Sequence, residues 1–142
     1  MPRRSRLASL LFMLALVAPP VFAGPPAVSV EPLIETDTTV LGMPFEYPEG
    51  TALIRSDIVT LPPGSVTPWH LHPVPLFGYV LQGTLIVDYG SEGERVYGPG
   101  DSLVEAFGWP HQGRNGGRGK VRILVVYAGA DGVPNTVLAD EQ

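Results

Sequence analysis

The sequence contains no cysteine. That excludes disulfide cross-links, thiolate-bound zinc, iron–sulfur clusters and cysteine nucleophiles. Stability must come from a packed core, and a domain of this size buries well over half of its unfolded surface. Uninterrupted runs are also missing. Beyond residue 23 the longest stretch free of glycine and proline is residues 51–61, so a helix of three turns or more barely fits anywhere. Positive charge is scarce, with 9 Lys and Arg against 14 Asp and Glu. Three of the nine are Arg3, Arg4 and Arg6, and the remainder of the chain holds six basic and fourteen acidic residues, a net charge of −8. One basic cluster exists, Arg114, Arg118, Lys120 and Arg122, around a glycine-rich turn that reads as a solvated loop. Without a basic patch to neutralise phosphates, nucleic acid is excluded as a partner.

The N-terminus has the layout of a secretory signal. Arg3, Arg4 and Arg6 precede an apolar run from Leu7 to Val17, then Pro19 and Pro20, then Val21-Phe22-Ala23. Cleavage is expected after Ala23, and the apolar run is shorter than the roughly 20 residues a membrane span needs. The expected location is periplasmic or secreted, with no membrane association after cleavage.

The 17 glycines and 13 of the 16 prolines fall after residue 23. They divide the chain into short stretches rich in Val, Ile, Leu, Tyr and Thr, the pattern of many short strands in a sandwich or barrel. We expect an N-terminal arm over residues 24–50 with short strands near Val28–Leu33 and Thr38–Leu41, a barrel over residues 51–129, and a coil tail over residues 130–142. Expected barrel strands are Leu53–Leu61, Val66–Leu71, Leu76–Leu81, Thr84–Tyr89, Glu94–Tyr97, Ser102–Ala106, one near His111, and Val121–Tyr127.

The chain has three histidines. His70 and His72 are two apart, so on a strand they share a face. His111 begins another expected strand, which a closed antiparallel barrel can bring alongside. Neutral imidazole is the commonest protein metal ligand, and a metal needs donors converging on one point. His70, His72 and His111 are therefore candidate metal ligands.

Around them, Gly64-Ser-Val-Thr-Pro-Trp-His70-Leu-His72, followed by Leu76 and Gly83, resembles the first motif of the cupin superfamily. Gly100-Asp101, Gly108, His111 and Asn115 resemble the second. The resemblance, closest to small exported single-domain bacterial cupins, covers residues 64–115. It implies an all-β fold, a double-stranded β-helix (jelly-roll) cupin barrel, with the three histidines on a metal. Two positions depart from the pattern. The family's glutamate ligand belongs at position 76, where this chain has Leu76, and its proline belongs at 106, where Ala106 follows Glu105. The site thus lacks one anionic ligand. Three outcomes stand open: three histidines hold the metal alone, Glu105 serves as an extra ligand, or no metal binds. Because charged groups are rarely buried unpaired, Glu105 is expected as an exposed strand-end carboxylate.

Three neutral ligands leave an octahedral metal with up to three open positions, which suits iron(II) binding a chelating substrate together with dioxygen. The resemblance implies a divalent transition metal, Fe(II) ahead of Mn, Zn or Ni. Since the imidazoles must be unprotonated, metal affinity is expected to fall below about pH 6. Trp69, Phe77, Tyr79, Tyr97, Phe107 and Trp109 are candidates to line an apolar pocket. Asn115 is expected to satisfy turn backbone groups, and Gly64, Gly83 and Gly100 to permit tight turns. The expected function is a three-histidine non-haem dioxygenase-like oxidoreductase acting on a small organic molecule. The alternatives are a non-catalytic small-molecule or metal-binding module, and a metal-dependent isomerase or lyase on the same ligands. The expected partners are that small molecule and a second copy, in a homodimer paired through the arm Ala27–Leu41.

Overall fold

The computed structural model describes residues 27–140; the signal segment expected over residues 1–23 lies outside them. Among the described residues the chain forms strands β1 (Ala52–Leu61), β2 (His70–Leu71), β3 (Leu76–Gln82), β4 (Leu85–Asp88), β5 (Glu94–Tyr97), β6 (Ser102–Val104), β7 (Gln112–Asn115), β8 (Val121–Ala130) and β9 (Val137–Leu138). The one helical element described is a single 3-10 turn, Gly90–Glu92, between β4 and β5. No helix among the described residues is long and apolar enough to cross a membrane.

Strand alternation builds the core. In β8, Val121, Ile123, Val125 and Tyr127 point inward while Arg122, Leu124, Val126 and Ala128 point outward, the period of two that a half-buried strand requires. One sheet runs β1-β8-β3-β6, all antiparallel. The other contains β5-β4-β7. Backbone bonds along Ser65–His70 and the β2–β9 pair extend it beyond β7. The two sheets share one core, in which Leu61, Val80, Ile123 and Val125 meet Leu85 and Val87. Burying an aliphatic side chain of this kind contributes ~1.5–3 kcal/mol. Antiparallel sheets packed face to face, with sequential strands β3 and β4 in opposite sheets, make the jelly roll that the sequence led us to expect. Gly83 turns the chain between those two strands at φ +82°, and a Cβ there would lie 2.6 Å from Lys120 O. Only glycine fits that turn without strain.

The two ends depart from expectation. Residues 27–30 are exposed coil. From Glu31 to Gly50 the expected strands reduce to a single Thr38–Pro44 bridge. Residues 31–37 are exposed, so their apolar side chains gain nothing from a strand face, and Pro32 has no N–H for a ladder. The Val40 amide donates to Val104 O at 2.9 Å, which covers the outer edge of β6. At the other end, the tail expected as coil supplies β9, paired with β2 at His70–Leu138 and Leu71–Val137.

Candidate metal centre

His70 lies in β2, and His111 immediately precedes β7. The two exchange backbone hydrogen bonds, His70 N–H to His111 O at 3.0 Å and His111 N–H to His70 O at 2.8 Å. Further back, the same two segments pair one residue out of step. Thr67 N–H donates to Gly113 O, and Val66 opposes Arg114. Pro68 and Trp69 therefore stand opposite Gln112 alone, which makes a β-bulge. Pro68 has no N–H to give the ladder. The strand expected over Val66–Leu71 is thus interrupted. The extra residue lets Thr67 and His70, three apart, both face the same cavity. In a regular strand one of the two would point away.

The three imidazoles converge. Their ring centroids are 5.0 Å (His70–His72), 4.5 Å (His70–His111) and 5.1 Å (His72–His111) apart. One ligand atom from each lies within 4.8 Å of the other two. Each Nδ1 is held by a backbone carbonyl: Pro68 O at 2.8 Å for His70, Asn135 O at 2.8 Å for His72 and Trp109 O at 2.9 Å for His111. A carbonyl oxygen only accepts, so each Nδ1 carries the proton and each Nε2 keeps a free lone pair. Such outer bonds fix both tautomer and ring orientation in metal sites. His72 and His111 are 4% and 2% exposed. Burial pushes both imidazoles down to about 4, against the pull of the carbonyl bonds, and neighbouring histidines add to the depression of each. Both rings are therefore neutral near pH 7, the form that binds metal.

Glu105 overturns its expectation. It follows β6, is 7% exposed, and points into the same cavity. Its Oε1 accepts the Tyr89 hydroxyl at 2.7 Å and the Ala106 amide at 2.8 Å. Oε2 lies 3.8 Å from His111 Nε2. Burial raises this carboxyl above its ordinary range, and the Tyr89 and Ala106 bonds oppose the rise. The expectation of an exposed carboxylate failed because those two donors replace water on one oxygen, so the group is not buried unpaired.

The cavity holds about 300 Å³. Its apolar wall includes Leu61, Leu85, Val87, Leu103, Ile123 and Val125, and its polar groups are the three histidines, Glu105, Thr67, Thr136 and Tyr127. None of the six aromatic candidates lines it. Phe77 and Tyr79 sit on the outer face of β3, out of phase with Leu76 and Gly78. Trp69 occupies the bulge. Tyr97 and Trp109 pack against the core elsewhere, the Trp109 indole donating to Tyr89 O at 3.0 Å. Phe107 borders a separate surface cleft with Phe45 and Tyr47.

The aromatics that matter are Tyr89 and Tyr127. Tyr127 stacks edge-on to His72 at 5.6 Å, and Tyr89 anchors Glu105. Both continue inward alternations legible in β4 and β8, Leu85-Val87-Tyr89 and Val121-Ile123-Val125-Tyr127. Asn135 and Thr136 hold His72 Nδ1 from the tail, and no local signal points to them. Asn115 does what its turn position suggests: its amide donates to Leu61 O and Gly119 O, and its Oδ1 accepts from Gly117 N–H.

Comparison with known proteins bears on this arrangement. A DMSP lyase, DddQ from Ruegeria pomeroyi DSS-3, is 28% identical with a TM-score of 0.54, over 69% of this chain and 47% of that one. An oxalate oxidase in complex with the substrate analogue glycolate is 26% identical with a TM-score of 0.52, over 61% and 46%. Bacillus subtilis oxalate decarboxylase, described with Mn(II) centres, is 24% identical with a TM-score of 0.50, over 60% and 23%, and shows the fold alone. The chain thus spans less than half the length of each of these proteins. No curated protein sequence matches it. The model of the cupin domain family matches residues 57–127, half of the chain, with His70, His72 and His111 inside the match, and the chain belongs to that family.

Proposed function

We propose that this cupin is a divalent-metal protein in which His70, His72 and His111 hold one ion, and that it acts as a dioxygenase-type oxidoreductase on a small organic molecule. The observation that carries the proposal is the trio of imidazoles with every Nδ1 tied to a backbone carbonyl and every Nε2 left free. Neutral nitrogen donors of this kind suit iron, manganese, zinc or nickel. The Mn(II) centres of the oxalate decarboxylase on the same fold agree with a divalent ion. We place iron(II) first, because an ion held by three neutral ligands keeps open positions for a chelating substrate and dioxygen together.

The cavity supports a substrate class. No Lys or Arg among the described residues lines it, so a dianion such as oxalate would find its counter-charge in the metal alone. The apolar wall favours a compact molecule with a hydrophobic body and one end bearing paired oxygens, such as a diphenol or a diketone. Thr67 and Thr136 offer hydroxyls at the polar side. We further propose that the protein is exported, on the strength of the layout of residues 1–23, and that it pairs with a second copy.

A second reading, a non-catalytic binding cupin, rests on the same lining. Apart from the histidines, Glu105 and Tyr127 are its ionisable groups among the described residues, so proton transfer has few candidates. Elemental analysis of purified protein beside His70→Ala, followed by oxygen uptake with diphenols, flavonols, thiols and diketones, separates the readings. Stoichiometric metal that is lost in the variant, together with oxygen uptake, supports the enzyme. Stoichiometric metal without turnover supports a metal-binding module, and no metal at all removes the enzyme and leaves a small-molecule binder.

A further inference from the structure

We infer that Glu105 is the anionic metal ligand of this centre, displaced across a strand pair from the position that Leu76 occupies. The inference rests on the three-histidine reading above and adds a fourth donor to it.

The strand register carries the argument. β3 and β6 pair antiparallel with Phe77 opposite Val104 and Gly78 opposite Leu103. One step further the same register sets Leu76 opposite Glu105, and the Glu105 amide donates to Leu76 O at 2.9 Å. Side chains directly opposite on neighbouring strands project to the same face with Cβ atoms ~4.5–5.5 Å apart. Leu76 and Glu105 are both buried and both line the histidine cavity. A carboxylate at either position therefore serves the same space. The sequence has an apolar residue where the cupin motif has its glutamate, and a glutamate on the cross-strand neighbour.

The two carboxylate oxygens have separate duties. Oε1 takes both protein donors, Tyr89 O–H and Ala106 N–H. Oε2 makes no hydrogen bond among the described residues and lies 3.8 Å from His111 Nε2. One oxygen anchors the group and the other faces the imidazole donors. No Lys or Arg pairs with Glu105 among the described residues, and a buried anion needs a cation or it costs several kcal/mol. A divalent ion at the histidines supplies that charge. Glu105 stands outside the trio mutually within 4.8 Å. Metal bonds of ~2.0–2.2 Å draw donors closer than that, so filling the site brings the neighbouring carboxylate in.

Co(II) binding to metal-stripped full-length protein tests this by chelator competition and visible absorption, with no turnover involved. Glu105→Gln keeps the shape and the Oε1 acceptor but removes the charge. The expected result is at least a tenfold loss of Co(II) affinity with a changed absorption band, against near-complete loss for His70→Ala. The double variant Leu76→Glu/Glu105→Leu moves the carboxylate back across the pair and is expected to regain affinity relative to Glu105→Gln. If that double variant fails to fold, Glu105→Gln alone decides. Wild-type affinity and an unchanged spectrum in Glu105→Gln overturn this inference while leaving the three-histidine centre standing. No Co(II) binding by wild-type protein overturns both.

Discussion

The metal-free protein should lose stability steeply in mild acid, and the size of the loss follows from two buried rings. His72 and His111 sit near 4 in the fold and near 6.5 in an unfolded chain. Between those values the unfolded state binds more protons, so stability is fully present above pH 6.5 and is lost as pH falls toward 4. From pH 7.5 to 5.5 each ring accounts for ~1.3 kcal/mol, and the two together for ~3 kcal/mol, a large share of the 5–15 kcal/mol typical of a domain. Glu105 works the other way. Its carboxyl is raised by burial, so the folded state holds its proton more tightly and this group softens the loss. Urea unfolding of chelator-treated protein at pH 7.5, 6.5 and 5.5 measures the balance. With a slope of ~1–3 kcal/mol per molar urea, the midpoint should fall by roughly 1–3 M across that range. The double variant His72→Asn/His111→Asn should flatten the response, and Glu105→Gln should steepen it. A midpoint that stays constant from pH 7.5 to 5.5 in the metal-free wild type would falsify the assignment of two buried neutral imidazoles. The same numbers amend the sequence-based expectation that metal affinity falls below about pH 6. Proton competition at His72 and His111 belongs nearer their depressed values.

Other consequences are simpler to check. Gly83→Ala places a Cβ 2.6 Å from Lys120 O in a backbone at φ +82°; strain and clash should cost at least ~2 kcal/mol, read by calorimetry, and a melting temperature within 2 °C of wild type would refute it. Asn115→Ala removes three hydrogen bonds, two that close the turn after β7 and one to Leu61 O at the end of β1, and should destabilise by about 2–4 kcal/mol in urea unfolding, with metal stoichiometry unchanged. Ending the chain at Pro134 removes Asn135 and Thr136 from His72 Nδ1; metal affinity should drop about 10–100-fold while the far-ultraviolet circular dichroism of the barrel persists. Wild-type affinity in that truncation would show that the tail is a cover and not a support.

The strands were legible wherever one face of the sheet is buried. β3, β4, β8 and the second half of β1 follow the apolar alternation closely, because period-two burial is a local property of the sequence; β5, which has no buried face, was marked by the glycines at its two ends. The histidine trio was legible for the same reason, helped by motif spacing. The failures occur where a long-range neighbour decides the outcome. Val28 and Val30 look like strand residues, yet they are 94% and 88% exposed, with no partner strand among the described residues to reward the conformation. Val137 and Leu138 look like tail residues, yet β2 offers them an edge. Phe77 and Tyr79 lie close to the motif along the chain, whereas the phase of β3 sends them outward and leaves Tyr127, far along the chain, against His72.

Glu105 shows most directly why position along the chain is the wrong coordinate for this site. Taken singly, Leu76 is a lost ligand and Glu105 an odd charge at a strand end, and each admits a bland explanation. The β3–β6 register makes them one place in space. A leucine at 76 fills the wall with apolar volume, and the carboxylate enters from the opposite strand, where Tyr89 can fix one of its oxygens. That exchange has a chemical consequence. A carboxylate carried on the β6 side lies beside His111, so an ion held by the histidines would receive its negative charge from that strand and not from β3. The part of the cavity left to a substrate would change with it. Substrate preference in this protein should therefore depend on the side from which the charge arrives as well as on the number of ligands. The Leu76→Glu/Glu105→Leu variant, which keeps the ligand count and reverses the side, would isolate that dependence.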